Sequence, residues 1–321
     1  MTTPGTTVVL GCGTAFPPTD REVAGDPSDR FTGVGRRHAL VGDEEAEDLA
    51  AAACLDALAR AGVAADEVDR LYGYVSVAPY PTPNPLYRVH ERIGLRRDAL
   101  VVPINSEFSN FVVGLLQASE SATAGACRQA LVVAASGWTR NLDLTQDYAV
   151  AASDAAGAAV LGPGTGFAAV GSVTHTRATD YERMTMAIRP RSATGRSGLP
   201  RATSDVPRPT YHMDTDLYDY LLDEVPVVVG ELMERYGVRA QDVTLLTHQG
   251  SRALLDHWTD AIRPGAHPDT FAEHGNMTSA TYPVTLAEHL PRVRTEHVVI
   301  AAVGAGLHVT ALLLSRGGAP A

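Results

Sequence analysis

Cysteine is scarce: Cys12, Cys54 and Cys127 are the only three in 321 residues. An odd number at wide spacing, set among apolar or small neighbours, excludes a disulfide framework and reads as buried thiols in a reducing compartment. Basic charge is also short, with 26 Lys and Arg against 37 Asp and Glu and a formal net charge of −11. That balance argues against a nucleic-acid surface and leaves small molecules or proteins as partners. No charged segment leading into an apolar core opens the chain. The longest apolar stretch, Val298 to Leu314, is broken by Gly304, Gly306 and His308 and falls short of a bilayer span. The expectation is a cytoplasmic protein with no membrane contact. Complete nucleotide motifs are missing too. Gly11-Cys12-Gly13 lacks a third glycine and runs into Pro17-Pro18, and Gly162 to Gly166 lacks the Lys-Ser/Thr ending of a phosphate loop, so it reads as a turn. No metal site is expected.

What the chain does have is bulk and repetition. A 45% hydrophobic chain of this length can hide roughly three quarters of its unfolded surface without covalent staples. Asp43 to Ala61 predicts an amphipathic helix with an acidic first turn, ended by Gly62. A strand is expected from Val68 to Val77. Leu58 to Val63, four residues and then Val68 and Leu71, returns as Met233 to Val238, four residues and then Val243 and Leu246. Leu131 to Gly137 likewise returns as Val298 to Gly304, at a nearly equal offset. Two matching offsets imply a duplicated α/β half, divided near Gly162 to Gly166 into residues 1–165 and 166–321. Between the halves, Ile188 to Pro209 carries five arginines against the single acid Asp205. It is either a solvated excursion or a docking strip for phosphate or an acidic carrier protein.

Polar residues interrupt apolar runs at three strand ends. The first is an elbow, in which Leu100 to Ile104 reads as a buried strand, Asn105 to Asn110 as a turn and Phe111 onward as a helix. Such an elbow aims the residue at the helix start, with the free backbone N–H groups there, at whatever lies above the strand ends. The second is Thr247-His248-Gln249-Gly250. The third is Glu273 to Ala280, which contains Gly275-Asn276. A fourth segment, Gly304-Ala305-Gly306, lets backbone amides approach a ligand closely.

Together these segments resemble the ketoacyl synthase III branch of the thiolase-like condensing enzymes. Thr247-His248-Gln249 is similar to that family's catalytic His-Gln segment, Gly275 to Ala280 to its Gly-Asn-Thr-Ser-Ala segment, Val303 to Leu307 to its terminal glycine turn, and Asp154 to Leu161 to its Asp-Gly-Ala-Gly-Ala strand start. The resemblance implies a duplicated five-layered α/β/α/β/α thiolase-like fold, usually a homodimer, with no bound cofactor. Its implied substrate is an acyl-CoA or phosphopantetheine-carrier thioester, its partners an acyl carrier protein and a small-molecule acceptor. In that family a cysteine at the elbow, three residues before a phenylalanine, is acylated. Three residues before Phe111 stands Phe108.

With the nucleophile missing, the resemblance leaves His248 and Asn276 as the catalytic pair, an uncharged set of donors suited to a thioester carbonyl or an enolate. Phe108 is expected to fill the old acyl pocket and, through its amide, to form an oxyanion hole with the turn at Gly304 and Gly306. Glu107 is a candidate base, as a carboxylate steadied by a helix N-terminus. Ser109 is expected to cap the helix, with replacement of the nucleophile as the alternative. Arg252 is grouped with Phe108, Ser109, Gly304 and Gly306 as substrate-binding. Three functions stay open: direct acyl transfer in secondary metabolism, a non-catalytic partner subunit of a condensing-enzyme heterodimer, and decarboxylation of a malonyl-type thioester.

Overall fold

A computed structural model describes residues 6–20, 36–78, 82–142, 147–187, 210–214 and 217–317. The first half runs β1 (Thr7–Ala15), α1 (Ala46–Ala61), β2 (Arg70–Val75), α2 (Leu86–Arg92), β3 (Leu100–Pro103), α3 (Asn110–Thr123), β4 (Ala130–Ser136) and β5 (Ala155–Pro163). The second runs β6 (Phe167–Thr176), β7 (Met184–Ala187), β8 (Thr210–Met213), α4 (Leu217–Tyr236), β9 (Val243–Thr247), α5 (Arg252–Ile262), α6 (Phe271–His274), α7 (Thr281–His289), β10 (His297–Gly304) and β11 (His308–Arg316). The arginine-rich segment from Ile188 to Pro209 lies outside the described residues.

The two large sheets have matching orders. The first is β1-β5-β4-β2-β3 and the second β6-β11-β10-β9, so each half places its first strand at one edge and its last strand beside it. Among the described residues, the place of a fifth strand in the second sheet holds a parallel bridge between Thr244 and Ala266. The chain crosses between sheets from Pro163 to Phe167. Both α1 and α4 end at a glycine with positive φ, Gly62 and Gly237, followed by a short 3-10 turn and then β2 or β9. The internal repeat read from the sequence is therefore a repeat of strand, helix, glycine stop and strand.

Apolar faces stack these elements into five layers. Leu49, Ala53 and Ala57 of α1 and Leu86 and Val89 of α2 cover the outer face of the first sheet at Leu71, Leu131 and Val160. Phe111 and Leu115 of α3 and Tyr282 and Leu286 of α7 fill the space between the sheets, against Tyr72 and Val132 on one side and Leu246, Ile300 and Leu312 on the other. Val228 and Leu232 of α4 and Leu255 and Trp258 of α5 cover the outer face of the second sheet. The Gly11 and Gly13 pair serves this packing. A Cβ on Gly11 would lie 2.6 Å from the Ala61 nitrogen, and one on Gly13 would collide with the Ala57 nitrogen. Only bare backbone lets α1 lie so close to β1, and this accounts for half a dinucleotide motif without a nucleotide.

Candidate active site

The middle layer delivers the elbow. Pairing of β3 with β2 extends through the Ile104 amide to the Gly73 carbonyl (2.8 Å), after which the chain turns sharply into α3. At the apex Phe108 has φ of +70°. A side chain there costs about 1–2 kcal/mol in local backbone energy. Packing offsets it: the Phe108 ring lies 5.3 Å from Trp138 and 6.2 Å edge-on from Tyr211, in a cluster with Met184, Leu217 and Leu307. These rings wall a cavity of about 130 Å³ whose lining includes Phe108, Trp138, Tyr211, Tyr218, His248, Asn276 and Thr278.

His248 follows directly on β9. The buried Gln249 beside it accepts from the Thr270 and Phe271 amides at 2.9 and 3.1 Å, which ties the end of β9 to the start of α6. Gly250 makes room for the imidazole, since a Cβ there would lie 2.8 Å from His248 Cδ2. Burial pushes the His248 pKa down to about 4, so the ring is neutral near pH 7. Its Nδ1 is enclosed without a partner among the described residues. Asn276 is fixed by its backbone, donating to the Ala151 carbonyl (2.7 Å) and accepting from the Ser153 amide (2.9 Å). Its Oδ1 accepts from the Thr278 amide (2.9 Å), which leaves the side-chain NH₂ as the group it can offer a ligand. A neutral imidazole and an amide donor on one apolar cavity can polarise a carbonyl and move a proton.

Comparison with known proteins gives this arrangement a family. Residues 103–181 match the model of 3-oxoacyl-[acyl-carrier-protein] synthase III, and residues 233–316 match its C-terminal model. The beta-ketoacyl-[acyl-carrier-protein] synthase III of Rhodospirillum centenum is 30% identical over 319 residues, covering 93% of this chain and 95% of its own. The chain belongs to the synthase III family. The enzyme of that name from a Synechococcus strain is 29% identical, over 88% of this chain and 85% of its own. Among solved structures, 3-oxoacyl-(acyl carrier protein) synthase III of Pseudomonas aeruginosa superposes with a TM-score of 0.83 at 24% identity, covering 98% of this chain and 100% of its own. The priming beta-ketosynthase of a polyketide biosynthetic pathway superposes with a TM-score of 0.84 at 21% identity, over 100% and 99%. Both share the thiolase-like fold.

Within this synthase III fold, His248, Asn276 and Phe108 meet at the cavity and the other expected site residues do not line it. Ser109 occupies the N-cap position of α3, but its hydroxyl makes no capping bond. It is wholly buried, and its Oγ lies 2.7 Å from His308 Nε2 and 2.8 Å from Ser106 Oγ. Burial lowers the His308 pKa. Gly304 is required by this pair, because a Cβ there would collide with the His308 ring and lie 2.7 Å from Ser109 Oγ. Arg252, at the start of α5, is paired with Asp269 at 2.5 Å, which neutralises its charge away from the cavity.

Glu107 departs furthest from expectation. Its Oε1 accepts from Ser76 and Ser279, both at 2.6 Å. Burial pushes its pKa up, against the opposing pull of the Ser279 and Ser76 hydroxyls. Desolvation thus outweighs the stabilisation expected of a carboxylate at a helix N-terminus. The Ala305 amide of the glycine turn donates to the Glu107 carbonyl (2.9 Å). Gly306, at φ +83°, shapes that turn.

The cysteines offer no substitute nucleophile. Burial raises the Cys12 pKa to about 12 and raises that of Cys54 too, and the Cys127 thiol is likewise pushed up. Trp138, Tyr211 and Ser76 were missed as site residues. Trp138 follows Gly137 in the repeated strand-end motif and Ser76 is the polar residue ending an apolar strand, so both carried a signal. Tyr211 carried none. Separately, Glu273, His274 and Glu288 bring possible ligand atoms within 4.8 Å of one another, with His274 Nε2 bonded to Glu288 at 2.8 Å. This cluster is not part of the cavity lining. Among the described residues no helix is long and apolar enough to cross a membrane.

Proposed function

We propose that this synthase III family member is an acyltransferase of secondary metabolism that passes an acyl group directly from a carrier-protein or CoA thioester to a small acceptor, with no acyl-cysteine. The carrying observation is that His248 and Asn276 share one cavity with Phe108 at the elbow. Asn276 donates its amide N–H to the thioester carbonyl. The acceptor hydroxyl or amine attacks that carbonyl as neutral His248 takes its proton. The C–S bond then breaks, and the departing thiolate recovers the proton. Acid-base help of this kind contributes on the order of 10²–10⁴-fold. Phe108 limits the acyl group by filling the space a smaller residue would leave. A second copy is expected to meet the open edge strand β3, where Leu100 is half exposed. The test is product formation from acyl-carrier thioesters and candidate acceptors. Activity lost in His248→Ala supports the reading, and no product with any acceptor, or equal output from that variant, removes it.

The packing of Phe108 against Trp138 and Tyr211 favours a second reading, a pocket-shaping partner subunit in a heterodimer. Native mass spectrometry decides it: a stable homodimer with its own turnover excludes that role. Release of carbon dioxide from a malonyl-carrier thioester above the His248→Ala background would instead identify a decarboxylase.

A further inference from the structure

The cavity beside the elbow has a size and a chemistry that its two catalytic groups do not explain. At about 130 Å³ it is a little smaller than an engineered apolar cavity of about 150 Å³ that stays dry and takes up benzene. It therefore holds one six-membered ring and little more. Among the described residues its lining includes no Asp, Glu, Lys or Arg. Two of its hydroxyls are already engaged: Ser251 Oγ accepts from the Leu254 amide at 3.3 Å, and Thr278 Oγ1 lies 2.6 Å from Ser136 Oγ. The polar side chains that remain are His248, Asn276, Tyr211 and Tyr218, and none of them offers a countercharge. A charged group placed here would lose its water and find no opposite charge.

The walls select among uncharged groups of that size. Phe108 and Trp138 lie 5.3 Å apart at 34°, and Tyr211 stands edge-on to both, at 6.2 Å and 89° from Phe108 and at 5.1 Å and 85° from Trp138. A flat ring entering such a corner meets a ring face and a ring edge together, contacts worth more than their buried area. An alkyl chain gains the area only, and it gives up rotational freedom to fit. Phe108 presents its ring from a left-handed backbone, with φ of +70°, a conformation that persists only where the surroundings hold it. We propose that the acyl group this site accepts is an uncharged aryl group of one ring, of the benzoyl class, seated against Phe108, Trp138 and Tyr211 with its carbonyl at Asn276 and His248. Tyr211 is a specificity-determining residue in this account. The inference rests on the acyl-transfer reading above and gives it a substrate class.

Binding of unreactive amides tests it without requiring turnover. Benzamide carries the aryl carbonyl, cyclohexanecarboxamide has nearly the same bulk without the π face, hexanamide is the open chain, and benzoate adds a charge. Isothermal titration of the unaltered protein is expected to give benzamide a Kd about 3- to 10-fold below those of cyclohexanecarboxamide and hexanamide, and at least about 10-fold below that of benzoate. In Tyr211→Leu, which keeps apolar bulk, the advantage of benzamide over cyclohexanecarboxamide should shrink to less than about 2-fold. Equal affinities for the three amides, benzoate bound as tightly as benzamide, no binding of benzamide, or an advantage unchanged in Tyr211→Leu each overturns the proposal. The comparison of amides uses the unaltered protein and stands whether or not the variant folds. Benzamide preferred without any turnover of benzoyl-CoA removes the transfer reading and keeps the aryl site. Transfer from hexanoyl-CoA without a preference for benzamide keeps the transfer reading and overturns this one.

Discussion

Protonation of His248 is the most direct probe of the site. The folded protein holds this group at a pKa of about 4 against an ordinary value of 6.5, because its enclosed ring has no anion to balance a charge. The unfolded chain therefore binds the proton first as pH falls. Above the ordinary value both states are neutral and His248 has no effect on stability. Between that value and about 4 the native state loses stability at up to about 1.36 kcal/mol per pH unit, a total of about 3 kcal/mol once pH lies below both values. Urea unfolding of the wild type and of His248→Gln, followed from neutral pH to about pH 4, isolates this contribution. His267, also pushed down to about 4 by burial, and the raised carboxyls Glu107 and Asp154 are common to both proteins and cancel. The stability gap between the two proteins should shift by about 3 kcal/mol in favour of the variant across that range. A gap that stays constant refutes the claim that His248 is buried neutral. The matching kinetic expectation is an acyl-transfer rate whose His248-dependent part is flat down to about pH 5 and falls only nearer pH 4.

Other substitutions test the elbow and its surroundings. Gly304→Ala places a methyl against the His308 ring and Ser109 Oγ and should cost at least about 1–3 kcal/mol in denaturant unfolding; a loss below about 0.5 kcal/mol would mean the pair yields freely. At position 108 the usual order of alanine over glycine should invert. With φ at +70°, Phe108→Gly is expected to be about 1–2 kcal/mol more stable than Phe108→Ala, and the opposite order in urea melts would remove the left-handed apex. Ser109→Ala removes the hydroxyl partner of His308 Nε2 and should destabilise by about 1–3 kcal/mol. The same variant tests the nucleophile alternative, because a stoichiometric acyl adduct that disappears with it would return covalent chemistry to the site.

Much of the architecture was legible because it rests on local rules. The glycine stops at Gly62 and Gly237 and the all-apolar strands at Leu131 and Val298 repeat in order, and repetition of that kind survives in sequence. The site was only partly legible. His248 and Asn276 stand in short segments that interrupt apolar strands, so their types and places were readable. Ser109 was read as a cap because a serine before a helix usually is one. The structure turns its hydroxyl to His308, 199 residues along the chain, a partner that no local pattern announces. Glu107 was read as a base for the same reason: its neighbours in sequence suggested a helix dipole, while its neighbours in space, Ser76 and Ser279, lie on a strand end and a turn from opposite halves.

The sequence by itself determined that the chain is a duplicated α/β protein of the synthase III kind with phenylalanine at the elbow, since composition, periodicity and motif order are properties of the chain alone. Tertiary structure decided what that elbow can do. Burial left His248 neutral and raised the Glu107 pKa, and close packing set the Glu107 carboxyl between the hydroxyls of Ser76 and Ser279. Those outcomes depend on desolvation and on contacts between residues far apart in the chain, and neither is fixed until the two halves close on each other.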